Sequence, residues 1–155
     1  MFLRAMGKYK LNIPLNDNFA KTKIAVIVPY FNEDIGLKLY QKTATELTHC
    51  GVKKQNIALI RVPGALEIPL AASHIAKNKS YNAIIALGVV IKGDTDHYEH
   101  VCRETYHGIM KISLKYDIPI VAGVLTVHNR KQAVERIEKG ADFARNALFM
   151  IQNYK

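Results

Sequence analysis

Tryptophan is missing from the 155 residues, cysteine occurs twice and proline five times. Cys50 and Cys102 form no framework spacing, and no basic segment leads into an apolar stretch with a small-residue cleavage site. A reducing cytoplasm is the expected compartment. Long apolar runs are also lacking. The longest, Ala83 to Ile91 and Ile118 to Val127, fall far short of the about twenty residues a membrane-crossing helix needs, so a soluble chain without a membrane partner is expected. Linkers rich in Pro, Gly or Ser are absent, as are internal repeats. With 49% hydrophobic residues the sequence reads as one domain, residues 24–155, behind a polar arm at 1–23. Acidic residues are scarce, 13 against 22 basic, a formal charge of +9. Such a surplus invites a nucleic-acid reading. The cations, however, are scattered through the arm (Arg4, Lys8, Lys10, Lys21, Lys23), around Lys77 and Lys79, and along the last helical stretches. No aromatic-interleaved basic stripe accompanies them. Solvated faces, or attraction of a small anionic substrate, explain them better, and no nucleic-acid partner is expected.

What is present is a regular order of elements. Ile24 to Pro29 reads as a short buried strand and Ile35 to Leu47 as a helix with Asn32 as its candidate cap. Ile57 to Val62 makes a second strand, and Ile68, Ala71, Ala72 and Ile75 give a helical face. Ala83 to Ile91 has the length and β-branched content of a third strand, whereas Val101, Thr105, Gly108, Ile109 and Ile112 recur at helical spacing. Asp117-Ile118-Pro119 opens a fourth strand to Leu125, and Val134, Ile137, Ala141, Ala144, Leu148 and Ile151 close the chain as one amphipathic helix. Strands apolar on both faces that alternate with helices imply a parallel sheet covered on each side. The expected class is α/β, a three-layer α/β/α sandwich with a four-stranded, flavodoxin-like sheet.

Ligands of such sheets bind beyond the carboxyl ends of the strands. That rule gathers Tyr30-Phe31-Asn32, Pro63 to Glu67, Ile91 to His97 and Thr126-Val127-His128 on one rim. Gly93 lets a ligand approach the backbone, and the N–H groups opening the next helix favour an anion such as phosphate. Thr95 can donate to that anion or cap the helix, and the same atom suits both. Asp94 fits beside a phosphate only with its carboxylate turned away. His97, in the first turn, is placed to move a proton beside the anion. His97, His100, Asp94, Asp96 and Cys102 match no tight metal-ligand template, so no metal is expected. Phe31 can stack on a flat heterocycle or pack at its strand end. Glu67 can hold sugar-type hydroxyls or complement the helix dipole. Taken together, the rim suits a heterocycle with hydroxyls and a phosphorylated partner.

Phe31-Asn32, PGALEIP at 63–69, GVVIKGDTDHYEHVC at 88–102, GVLT at 123–126 and QAVER at 132–136 resemble, in residues and spacing, the lumazine synthase family. The resemblance implies condensation of 5-amino-6-(D-ribitylamino)uracil with 3,4-dihydroxy-2-butanone 4-phosphate, giving 6,7-dimethyl-8-ribityllumazine, phosphate and water without metal or redox cofactor. It implies that Phe31 stacks on the pyrimidine beside Asn32. Backbone at Ala65, Leu66, Val89, Val90 and Ile91 would bind ring and ribityl chain, and Glu67 the ribityl hydroxyls. Gly93, Asp94 and Thr95 would cradle phosphate, and His97 would act as acid and base. Arg136 would reach phosphate from a neighbouring subunit of a homopentamer, and riboflavin synthase is the implied downstream partner. Two features depart from the pattern. Ala122 stands where the family commonly has an aromatic, and Ile137-Glu138-Lys139-Gly140 replaces a longer GTKxGNKG-like segment, leaving Lys139 at the place of the family's site lysine. A non-catalytic flavin- or lumazine-binding protein is the competing reading; a flavodoxin-like electron carrier fits less well, because Pro29-Tyr30-Phe31-Asn32 fills the place of its phosphate loop.

Overall fold

Apolar runs without a polar interruption become the strands at the middle of the sheet. The computed structural model describes residues 9–13 and 19–154. Strands β1 (Ile24–Pro29), β2 (Ile57–Val62), β3 (Ala83–Ile91) and β4 (Ile120–Val127) form one parallel sheet in the order β2-β1-β3-β4. All six residues of β1 are buried, as are the first seven of β3. These two central strands are covered on both faces, so no alternation of polar residues survives in their sequences.

Five helices supply the covers: α1 (Glu33–His49), α2 (Ile68–Lys77), α3 (His97–Tyr116), α4 (Arg130–Val134) and α5 (Lys139–Asn153). Alternate residues divide the core. Val26, Ile85 and Leu87 meet Leu39, Leu47, Ala144 and Leu148 on the α1–α5 face. Ala25, Ile27, Ile84 and Ala86 meet Ile68, Ala72 and Ile109 on the α2–α3 face. The expected α/β/α sandwich is therefore present. No helix among the described residues is long and apolar enough to cross a membrane.

Of the expected arm, residues 1–8 and 14–18 lie outside the described residues. Ile13 and Phe19 are buried within the α1–α5 core.

Two boundaries differ from the sequence expectation. Asp117 ends α3 in a left-handed conformation and the Ile118 N–H returns to Ser113 O at 3.2 Å, so β4 starts only at Ile120 and runs on to Val127. The expected single closing helix from Val134 is broken. Short-range bonds from Arg136 to Ala133 and from Ile137 to Val134 turn the chain before α5 begins at Lys139. Gly140 explains where α5 can start. A β-carbon there would lie 2.5 Å from the Leu39 carbonyl oxygen, and the Thr43 hydroxyl donates to Gly140 O at 2.9 Å. Backbone-to-backbone approach of α1 and α5 therefore requires glycine at this point.

Candidate active site

The order of winding reverses between β1 and β3, since β1 leads outward to β2 and β3 outward to β4. Such a switch point leaves a crevice beyond the strand ends. Here it is a cavity of about 390 Å³, large enough for a bicyclic heterocycle with a side chain. The end of β1 gives Pro29, Phe31 and Asn32, and the turn before α2 gives Gly64, Ala65, Leu66 and Glu67. The end of β3 gives Val89, Val90 and Ile91, and the loop into α3 gives Gly93, Thr95 and His97, followed by Tyr98 and Val101. Eleven of the expected site residues thus line one space.

Local structure shows why each sits there. Phe31 is 74% exposed, so it is not a packed strand end, and its ring is free to carry a ligand. Glu67 folds back, its carboxylate Oε2 accepting the Gly64 N–H at 2.9 Å, which braces the 64–67 turn and leaves the second oxygen for a hydroxyl donor. The Thr95 hydroxyl oxygen accepts the His97 N–H at 3.3 Å. That bond uses a lone pair and keeps the hydroxyl proton available, so capping and anion binding coexist. Gly93 has no positive φ, and a β-carbon on it would meet nothing within 4 Å. The fold itself makes no demand for glycine at 93, and the open space leaves its backbone accessible from the cavity. Asp94 is exposed and does not line the cavity.

Asn32 behaves differently from a helix cap. It precedes α1 with φ 55° and no side-chain cap bond, and its amide Nδ2 donates instead to Val89 O at 3.0 Å. His100 lies outside the cavity, with Arg103 Nη2 at 3.0 Å from its Nδ1. Among the described residues no group of three or more His, Cys, Asp or Glu is placed to hold a metal ion.

The profile of the family described as 6,7-dimethyl-8-ribityllumazine synthase matches residues 21–155. The chain belongs to that family. It is 43% identical over 138 residues to the 6,7-dimethyl-8-ribityllumazine synthase of Coxiella burnetii (strain CbuG_Q212), covering 86% of this chain and 91% of the relative. It is also 43% identical over 135 residues to the protein of that name from Ruthia magnifica subsp. Calyptogena magnifica, covering 83% and 81%.

Besides Asp94, three residues expected from the family pattern are not brought to the cavity. Arg136, in the turn after α4, is half-buried on the α1–α5 side and its Nη1 donates to Gln132 O at 2.8 Å. Lys139 opens α5 on the same side. Ala122 is exposed on edge strand β4, beside a separate groove with Tyr9 and Phe149. Conversely, Tyr98 belongs to the lining and carried no earlier expectation. Burial pushes its phenol above the ordinary range against the opposing pull of Thr126, so it stays a neutral hydroxyl near neutral pH. Its ring centroid is 6.5 Å from that of His128, which ties the rim peptide Thr126-Val127-His128 to the cavity at one remove. The signal in the sequence was only its place beside His97.

Proposed function

We propose that the β1/β3 cavity is the site at which this member of the family makes 6,7-dimethyl-8-ribityllumazine, the penultimate step of riboflavin biosynthesis. One observation carries the assignment: a free aromatic ring, a braced carboxylate, an open glycine-threonine loop at a helix start and a histidine all face one cavity of about 390 Å³. The enzyme is a transferase joining 5-amino-6-(D-ribitylamino)uracil to 3,4-dihydroxy-2-butanone 4-phosphate.

In this reading Phe31 stacks on the pyrimidine, while backbone at Ala65, Leu66, Val89, Val90 and Ile91 grips its edge and the start of the ribityl chain. Glu67 takes ribityl hydroxyls with its unused oxygen. The 5-amino group attacks the ketone carbon, and water leaves as the imine forms. Loss of a proton from the neighbouring carbon expels phosphate, and the ribitylamino nitrogen then closes the second ring with loss of another water. His97 is the side chain at the cavity that can carry these protons. N–H groups opening α3 and the Thr95 hydroxyl receive the phosphate, with Asp94 contributing only backbone.

Arg136, with Lys139 and the surface at Ala122, completes the site of an adjacent subunit in a homopentamer. Arg136 and Lys139 on the α1–α5 side and Ala122 on the exposed edge strand β4 all lie away from the chain's own cavity, which supports this reading, because contacts of one face with a different face can close into rings. The polypeptide then comprises the arm 1–23 and one domain 24–155, works in the cytoplasm without cofactor, and passes its product to riboflavin synthase.

Mixing the purified protein with both substrates should generate the fluorescent lumazine, with turnover unaffected by EDTA. Binding of lumazine without any turnover would replace the enzyme by a carrier; turnover lost with chelator and restored by metal would return His97 and His100 to consideration as ligands.

A further inference from the structure

Three described residues other than glycine hold positive φ: Asn32 (55°), Lys79 (50°) and Asp117 (50°). Two of them close helices, where a left-handed residue is an ordinary terminator. Asp117 is the C-cap of α3, and Lys79 follows Asn78, the C-cap of α2. Asn32 instead opens a helix. Residues in that position normally take extended backbone and return a side-chain oxygen to the first turn. Asn32 does neither, with ψ at 34° and no side-chain bond to α1. Something outside the helix selects its conformation.

The selecting partner is β3. Pairing of β1 with β3 stops at Ile27↔Ala86, whereas β3 stays paired with β4 as far as Ile91↔Val127. The Lys92 N–H bonds to Val127 O on the β4 side, so alternation along the strand turns the polar groups of Val89 toward β1, where the ladder has already ended. The Asn32 amide takes the vacant place, donating to Val89 O across 57 residues of sequence. On the opposite flank the Tyr30 and Phe31 N–H groups donate to Val62 O at 2.8 Å and Pro63 O at 3.2 Å. The corner that carries Phe31 is therefore tied to both neighbouring strands, while the ring itself is too exposed for packing to fix it.

We infer that Asn32 is a positioning residue: its amide is used on Val89 and thereby aims the Phe31 ring. This replaces the direct substrate contact expected for Asn32, and it rests on the cavity being the ribitylaminouracil site.

A double-mutant cycle with binding of 6,7-dimethyl-8-ribityllumazine, followed by its fluorescence, tests the inference. Asn32→Gly tolerates the left-handed backbone and removes only the amide; it should weaken binding about tenfold, the weight of one ordered hydrogen bond. Combined with Phe31→Ala it should weaken binding no further than Phe31→Ala alone. Asn32→Asp keeps the shape but turns a carboxylate oxygen toward the Val89 carbonyl, and should bind at least as weakly as Asn32→Gly. Losses that multiply in the double variant, or wild-type affinity in either Asn32 variant, overturn the inference. So does a parallel rise of both KM values with a lowered unfolding temperature, because the positioning role leaves KM for the phosphorylated ketone within about twofold. Failure of the underlying site reading looks different: the unaltered protein makes no lumazine, or Phe31→Ala alone binds it as strongly as the unaltered protein.

Discussion

The cavity at the β1/β3 switch point and the Arg136–Lys139 turn are built on opposite principles. Strand ends and helix starts of one chain assemble the cavity, and three polar side chains in it have a hydrogen-bonded neighbour: Glu67 has the Gly64 N–H, Thr95 the His97 N–H and Asn32 the Val89 carbonyl. The turn lies on the other face of the sheet, where Arg136 spends a donor on its own helix at Gln132. One region is finished by folding, and in the proposed homopentamer the other is finished only when a second surface arrives. A site divided in that way would make activity depend on assembly as well as on fold.

The sharpest way to break that comparison is to remove the proton carrier. His97→Ala should slow lumazine formation by about one to three orders of magnitude with an unchanged unfolding temperature, and residual turnover should persist from positioning alone. An unaltered rate would take His97 out of the chemistry.

Arg136→Ala comes next. Loss of a charge-assisted contact to phosphate should raise KM for the phosphorylated ketone by about 10–100-fold and leave lumazine binding nearly unchanged. Wild-type activity should also fall on dilution in step with loss of the pentamer seen by sedimentation. A fully active monomer would place the whole site in one chain.

Gly93→Val asks whether the cradle or the fold needs glycine. With open space around the new side chain, stability should change by less than about 0.5 kcal/mol, while affinity for the phosphorylated ketone drops about tenfold.

Arg145→Met perturbs the α1–α5 face without touching either half of the site. Arg145 is 12% exposed and bridges Glu46 at 2.5 Å and Asp142 at 2.7 Å. Its removal should destabilise the fold by about 1–3 kcal/mol, read by denaturant unfolding, with turnover at room temperature retained.

The smallest effect belongs to the clasp across the cradle loop, Lys92 to Glu99 at 2.9 Å. The Lys92 ammonium holds the Glu99 carboxyl below its ordinary value of about 4.5. A lowered folded-state value means stabilisation that is present above the ordinary value and lost as pH falls through the folded one. Glu99→Gln should therefore flatten the acid limb of unfolding temperature against pH slightly; an identical limb would show that the pair adds nothing.

The sequence disclosed β1, β2 and β3 to the residue: burial on both sides leaves β1 and β3 as runs with no polar break, while β2, at the sheet edge and carrying Arg61, is bounded by Asn56 and Pro63. It misled at the end of the chain. Val134, Ile137 and Ala141 keep helical spacing through the break because a tight turn also brings every third or fourth residue to one side, and only the approach of Leu39 to Gly140 reveals the interruption. Composition of the site was readable from strand-end logic: Phe31, Glu67, Gly93, Thr95 and His97 follow from it. Roles were less so. The partner of Asn32 is 57 residues away and is a backbone atom, which no local pattern encodes. Arg136, Lys139 and Ala122 entered through family likeness alone, since one chain does not carry them to the cavity.

Gly140 gives the molecule a fulcrum. With the Leu39 carbonyl oxygen 2.5 Å from where a β-carbon would stand and Lys42 Cβ 2.8 Å away, even an added methyl would lever the first turn of α5 off α1. Arg136 lies in the turn four residues before Gly140, so displacement at this hidden pivot also shifts the turn that holds its guanidinium. In the proposed homopentamer a substitution in the interior of one subunit would then be felt as a misfit in the next, and a packing position and a proposed site residue become the two ends of a single beam.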